Sequence, residues 1–215
     1  MSLPKFESLS EISDIIEKLP KFDRSASEAA TERQNQLTKP PGALGRLEDI
    51  AIFLAGWART AQPKIETAQA LVFAGNHGIC DQGVNPFPQE VTAQMVTNFE
   101  HGGAAINQLC QENGADLTVI ALDLDTPTQD FTKGPAMSEA ECLNAFNTGA
   151  EAVNSDADIL LLGEMGIGNS TVAAALAAGI FGGESSQWVG IGTGSNSEGV
   201  ALKNRVVSEL SLIHI

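Results

Sequence analysis

The chain has 215 residues, of which 43% are hydrophobic and 18% are charged, so it can bury the core of one α/β domain with a smaller appendage. Its formal net charge of −15 argues against nucleic acid or an anionic membrane surface as a partner. No apolar run approaches the ~20 residues that span a bilayer, and no apolar signal core follows Met1, which predicts a cytoplasmic protein. The cysteines lack Cys-x-x-Cys spacing, which favours reduced thiols over disulfides or a thiolate zinc site.

The first 60 residues have the pattern of a small helical cap. Residues 9–19 and 25–36 are polar with spaced apolar positions, which is typical of two amphipathic helices separated by Pro20. Two prolines and a glycine at 40–42 then force a non-helical approach to a long helix that ends near Arg59. We expect residues 1–60 to form this cap with its linking helix, and residues 61–215 to form a sheet core.

Residues 68–74 predict the first buried strand. His77 follows in a glycine turn at the carboxyl end of that strand, where open parallel sheets bind their ligands. It is either an acid, base or hydrogen-bond donor to a ligand, or a structural hydrogen-bonding group. The other histidines, His101 and His214, lie in unrelated segments, so no metal site is expected.

The next segment combines prolines with an aromatic side chain. Phe87 lies between Pro86 and Pro88, which suits the wall of an apolar pocket, and Pro88 begins a helix that runs through Gln94. A helix over 101–111, a strand over 116–124 and a helix over 137–153 follow in the predicted order. Acidic residues at the end of the second strand either bind a ribose or magnesium, or solvate the loop and cap a helix.

A glycine loop at residues 163–171 is the strongest site signal. It separates a predicted strand over 157–162 from an alanine-rich helix over 172–180, and Glu164 lies near the carboxyl end of that strand. Its glycines allow positive φ angles, its polar residues cap helices, and free N–H groups there attract an anion. The residues concerned are Gly166, Gly168, Asn169, Ser170 and Thr171.

A second loop repeats this pattern, with a predicted strand over 188–192, then Gly192, Thr193 and Gly194, and a helix that carries Lys203 and runs to about residue 212. Either both loops share one ligand, or their glycines are only tight strand-to-helix turns. Neither loop is a Walker A motif, which argues against a kinase, and Trp188 replaces the acid of a dinucleotide fingerprint. The four strand–helix units favour an open, doubly wound parallel sheet of Rossmann-like type.

With these residues laid out, the chain closely resembles the nicotinate-nucleotide:dimethylbenzimidazole phosphoribosyltransferase family of cobalamin lower-ligand synthesis. The resemblance rests on four blocks that occur in the family's order and cover nearly all of the chain: residues 37–48, residues 75–78 continuing through 91–96, residues 163–171, and residues 192–194 with Lys203.

The resemblance implies transfer of phosphoribose from nicotinate mononucleotide to dimethylbenzimidazole, in a cytoplasmic homodimer that needs no metal or redox cofactor. Glu164 would stabilise positive charge that develops near the anomeric carbon. The glycine loops and Lys203 would hold the 5′-phosphate and ribose. The base would be bound by His77, Pro86, Phe87, Pro88 and Gln94.

Family members continue beyond the point that matches Ile215, and the glutamate regarded as their general base lies in that further part. The sequence therefore predicts a truncated chain that keeps the phosphate loops but has impaired activity, with Glu164 as a substitute base. The alternative is a non-catalytic α/β protein whose glycine loops bind a nucleotide or phosphate.

Overall fold

The computed structural model describes residues 5–214, which contain eight α-helices and one three-stranded sheet. The helices are α1 (Leu9–Ile16), α2 (Arg24–Gln36), α3 (Arg46–Ala58), α4 (Glu90–Glu100), α5 (Ala105–Asn113), α6 (Glu139–Ala152), α7 (Asn169–Phe181) and α8 (Ser197–His214), and the strands are β1 (Ala68–Ala74), β2 (Ala115–Ala121) and β3 (Ile159–Met165). Among the described helices, none has the length and apolarity needed to cross a membrane.

Residues Phe6–Glu66 form a compact helical unit by themselves. Asp23 caps α2 by accepting a hydrogen bond from the Ala26 amide at 3.1 Å. Packing of α2 against α3 is supported by aromatic contacts, since the rings of Phe22 and Trp57 meet edge to face with centroids 5.6 Å apart. This unit contains the helices that the sequence predicts for the cap.

The other compact unit begins at Thr67 and is built on the parallel sheet. The strand order is β2-β1-β3, with Ala68 of β1 opposite Ala115 of β2 and Ile159 of β3. This confirms the predicted α/β fold with a parallel sheet flanked by helices. Because the chain crosses from β2 to the far side of β1, the carboxyl ends of β1 and β3 border the topological switch point, where such sheets bind ligands.

Several bounds of the predicted elements differ in the structure, and two of these differences affect the site. Residues 188–192 form no strand: a short 3₁₀ turn at Ser185–Gln187 precedes them, and Ile191 is exposed in a glycine-rich turn instead of pairing with a strand. The third strand extends past residue 162, because Gly163 packs closely against Val72 and lets the ladder continue to Met165. Glu164 is consequently a strand residue, paired in register with Phe73.

The core beside the site joins α7 and α8. Alanines on α7 pack against two fully buried valines of α8, Val206 and Val207, and against Ile79 and Val84 from the segment after β1. Small side chains on α7 allow close helix contact, which holds α8 at a fixed position beside the beginning of α7. Lys203, one turn before Val206 and Val207, is thereby buried near the second glycine loop.

Candidate active site

The amine of Lys203 is the most unusual group in this region. Its side chain is only 3% exposed, and its Nζ makes two long hydrogen bonds, at 3.5 Å to Ser170 Oγ and at 3.4 Å to the Gly190 carbonyl. Within the described part of the chain, no ion pair includes Lys203. Burial lowers the pKa of this amine. A buried cation without a counter-ion is costly, and an anionic ligand would offset that cost.

Gly192 closes the space around this amine. Its φ is +53°, and a Cβ at this position would lie 2.8 Å from Ser170 Oγ and 3.0 Å from Lys203 Nζ. Glycine is therefore required both by the backbone conformation and by the lack of room for a methyl group. We call Ser170, Gly192 and Lys203 the anion cluster, and it brings together the two glycine loops that the sequence singles out.

The N-terminus of α7 adds a helix dipole to the anion cluster. Gly168, with φ +95°, precedes the helix, and the amides of Asn169 and Thr171 bond back to the Gly166 and Gly168 carbonyls at 3.2 and 2.9 Å. Among the described residues, the amide of Ser170 has no protein acceptor. An N–H donor beside a buried ammonium group, at the positive end of a 13-residue helix, suits a phosphate.

Asn169 connects this loop to the turn after β1. Its Oδ1 accepts a hydrogen bond from His77 Nε2 at 2.5 Å, so the two predicted site residues bind each other across the switch point. Burial lowers the pKa of His77, and the hydrogen bond to Asn169 opposes that shift. His77 is therefore a neutral donor that links the two turns.

This arrangement predicts a pH-dependent contribution to stability. The pKa of His77 is lower in the folded chain than in the unfolded chain. Below a pH of about 6.5 the unfolded chain therefore binds a proton at His77 more readily than the folded chain does, and the free energy of unfolding falls as the pH falls through that value. Gln can donate from the position of Nε2 but does not titrate. We expect His77→Gln to reduce the loss of unfolding free energy between about pH 7.5 and 5.5, measured by urea denaturation. An unchanged pH dependence would contradict this assignment.

The other predicted loop residues have distinct surroundings. Gly166 packs against the Gly75 carbonyl and Asn169, where a Cβ would not fit. The Thr171 hydroxyl is buried and has no hydrogen-bond partner among the described residues. Thr193 and Gly194 are exposed in the turn after Gly192.

Glu164 lies apart from the anion cluster. It borders a groove of about 340 Å³ on the sheet, together with Val72, Phe99 and Ile106, and partial burial raises the pKa of its carboxyl group. Within the described residues, no hydrogen bond joins Glu164 to a member of the anion cluster. The sequence places Glu164 and Ser170 in one loop, whereas the structure separates them into a strand position and a helix terminus.

The predicted base-binding residues lie in one segment with little contact to the rest of the site. Pro86, Phe87, Pro88 and Gln94 are all exposed, and Phe87 is 47% exposed. The Asn85 side chain orders their turn by donating to the Phe87 carbonyl at 2.6 Å. In the described chain, none of the four has a recorded contact with the anion cluster, so a base would meet them at an open surface.

Sequence reasoning missed Thr92 and Cys80. Thr92 is fully buried and accepts a hydrogen bond from the Ile167 amide at 3.1 Å, and Cys80 donates to the Ile167 carbonyl at 3.2 Å. Burial, reinforced by the nearby carboxylate of Asp81, raises the pKa of Cys80 to about 11, which keeps the thiol protonated as a donor. The only sequence signal was a hydroxyl residue in the first turn after Pro88, which also suits an exposed position.

Known proteins resemble this chain over most of its length. A family model described as Phosphoribosyltransferase matches residues 19–214. The nicotinate-nucleotide–dimethylbenzimidazole phosphoribosyltransferases of Rhodobacter capsulatus and Roseobacter denitrificans are 59% and 60% identical to the chain, over 98% and 95% of its length. A crystal structure of CobT from Thermus thermophilus matches with a TM-score of 0.80 at 36% identity and covers 88% of the chain. The chain spans 63%, 60% and 63% of these three proteins, respectively.

Proposed function

This chain belongs to the phosphoribosyltransferase family, and from that premise we propose that it binds nicotinate mononucleotide and takes part in transfer of its phosphoribosyl group to dimethylbenzimidazole. The products would be α-ribazole 5′-phosphate and nicotinate, as cobalamin lower-ligand synthesis requires.

The buried amine of Lys203 carries this proposal. Lys203 is only 3% exposed, lies beside Ser170 and the start of α7, and has no carboxylate partner in the described chain. These surroundings suit the dianionic 5′-phosphate of a nucleotide. Gly192 lets the backbone of the second glycine loop lie directly against the Ser170 hydroxyl and the Lys203 amine. We assign the phosphate to the anion cluster and place the ribose towards the carboxyl ends of β1 and β3.

The proposed reaction exchanges one N-glycosidic bond for another. The bond between the anomeric carbon and the nicotinate nitrogen breaks, and its electron pair stays on nicotinate. A lone pair of dimethylbenzimidazole forms the new bond, and the proton on its second ring nitrogen passes to a base. Positive charge develops on the ribose between these events, so a nearby carboxylate would lower the barrier.

Glu164 is our proposed carboxylate for this step. Its raised pKa brings it closer to the range that suits a general base, and it lies near the carboxyl end of β3. We expect Glu164→Gln to lower turnover by roughly 100-fold or more, while affinity for nicotinate mononucleotide changes little. Glu151→Gln on the exposed surface of α6 is the matched control. Equal turnover in the parent and Glu164→Gln would remove this role.

Calorimetric titration with nicotinate mononucleotide, run beside an assay for α-ribazole phosphate, tests the proposed function. Binding with turnover supports the transferase. Binding without turnover favours the alternative, a nucleotide-binding α/β protein. Absence of binding would refute both.

The family resemblance also leads us to propose a homodimer. Apolar side chains on α3 support this proposal, because Leu47, Phe53 and Trp57 are more than half exposed within the helical unit. Exposed aromatic and aliphatic groups of this kind are enriched at protein–protein interfaces.

A further inference from the structure

Ile167, in the middle of the first glycine loop, is held through both of its backbone polar groups. Its amide donates to Thr92 Oγ1 at 3.1 Å, and its carbonyl accepts from Cys80 Sγ at 3.2 Å. Its side chain is buried as well. The peptide groups on both sides of Ile167 therefore have fixed orientations, unlike those of an ordinary surface loop.

The side-chain partners of Ile167 and Asn169 come from the segment that follows β1. His77 contacts Asn169, Cys80 and Thr92 contact Ile167, and the Gln89 side chain donates to the His77 carbonyl at 3.1 Å. Thr92 is the most deeply placed of these groups, with no exposed surface. It lies in the first turn of α4, 75 residues before the loop in sequence.

The orientation of Ile167 determines where α7 begins. Gly168 follows directly, with φ +95° and no room for a Cβ, since that atom would lie 2.8 Å from Cys80 Sγ. Its carbonyl accepts from the Thr171 and Val172 amides at 2.9 and 3.2 Å, which forms the first turn of α7. Ser170, a member of the anion cluster, lies within that turn. A rotation at Ile167 would thus displace the groups that face the phosphate.

We propose that Thr92 is a positioning residue for the phosphate: its hydroxyl fixes the Ile167 peptide and, through it, the N-terminus of α7 in the conformation that binds the 5′-phosphate. This rests on the proposed function, because it assigns the phosphate to the anion cluster. Thr92 does not touch the ligand. Its effect reaches the phosphate through the backbone of Ile167 and Gly168.

Two substitutions separate the hydroxyl from the shape of the side chain. Thr92→Val keeps the volume and β-branching but removes the acceptor, which leaves the Ile167 amide buried and unpaired unless the loop moves. Thr92→Ser keeps the acceptor and removes only a methyl group. Thr92→Ala removes the acceptor with a smaller side chain, and replaces Thr92→Val if that variant does not fold.

The measurement is the dissociation constant of nicotinate mononucleotide and of nicotinate riboside, which lacks the phosphate, determined for the full chain by calorimetry. We expect Thr92→Val to weaken mononucleotide binding by roughly tenfold, the equivalent of one hydrogen bond to a charged group, and to leave riboside binding nearly unchanged. Thr92→Ser should keep the preference of the parent for the phosphorylated ligand. Cys110→Ala, at a buried position of α5, is a destabilised control that should also keep this preference.

Two results would overturn the positioning role while the proposed function stands. One is equal mononucleotide affinity in Thr92→Val and the parent. The other is a parallel loss for both ligands, which indicates general loss of structure. If the parent itself binds the riboside as tightly as the mononucleotide, the phosphate assignment fails, and the role of Thr92 fails with it.

Discussion

Replacing Lys203 with methionine is expected to weaken nicotinate mononucleotide binding by roughly 10- to 100-fold, the range of a hydrogen bond to a charged group, without lowering the free energy of unfolding. Both effects have one physical cause. The amine is buried without a carboxylate partner in the described chain, so its charge destabilises the unliganded protein. A bound anion would offset this destabilisation.

The expected sign of the stability change distinguishes a ligand-binding lysine from a structural one. Since burial lowers the folded pKa of Lys203, the protonated amine destabilises the folded state at neutral pH, and this cost is relieved as the pH rises towards the unfolded pKa. Methionine fills a similar volume without the charge. A structural lysine would instead hold its neighbours by strong hydrogen bonds, whereas those of Lys203 are 3.4 and 3.5 Å long.

Arg205→Met provides a control on the same helix. Arg205 is exposed, and among the described residues its one ion pair is with Glu209 at 3.5 Å on the surface of α8. This variant makes the same change in net charge without touching the anion cluster, so we expect nearly parental mononucleotide affinity. Comparable losses in the two variants would mean that the net charge of the chain, not a local site, governs binding. Isothermal calorimetry and urea denaturation supply both readouts.

Gly192→Ala is expected to abolish most mononucleotide affinity, with a loss of roughly 100-fold or more, because it combines a strained backbone with a methyl group in the phosphate space. The added Cβ would lie 2.8 Å from Ser170 Oγ and 3.0 Å from Lys203 Nζ. The Lys203 amine cannot retreat easily, since its side chain is buried against α7. Calorimetric titration of the variant with nicotinate mononucleotide measures the effect.

Gly114→Ala separates strain from steric blockage. Gly114 ends α5 in the left-handed region with φ +65°, and a Cβ there would meet nothing within 4 Å. Both substitutions should therefore lower the unfolding free energy by about 1 kcal/mol, but only Gly192→Ala should lose affinity. Undiminished affinity in a folded Gly192→Ala variant would contradict the assignment of the phosphate to the anion cluster.

The sequence by itself determined the elements whose signals are local. The apolar run at Ala68–Ala74 forms β1 at the predicted residues, because a continuous run of this length suits a central strand buried on both faces. The glycine turn at 166–168 lies between β3 and α7, where strand, glycine and cap signals occur in succession. The resemblance to phosphoribosyltransferases follows from the same short blocks.

Tertiary structure decided which of these residues meet. The segment after Trp188 has the apolar pattern of a strand, yet it forms none, because pairing depends on a neighbouring strand that local pattern does not specify. The side chain of Asn169 was predicted to bind a ligand, and it contacts His77 from a turn 92 residues earlier in the sequence. The local sequence of neither segment indicates that these two side chains meet.

Tertiary packing also explains why Lys203 and Thr92 are buried. A lysine on a predicted helix is usually solvated, and only the packing of α7 against α8 buries this one beside Ser170. Thr92 looks like a surface residue in sequence, and only the approach of the loop after β3 gives it a backbone partner, Ile167. Local pattern indicated the loop and its glycines, whereas burial and long-range hydrogen bonding, which depend on the whole fold, placed Lys203 and Thr92 against that loop.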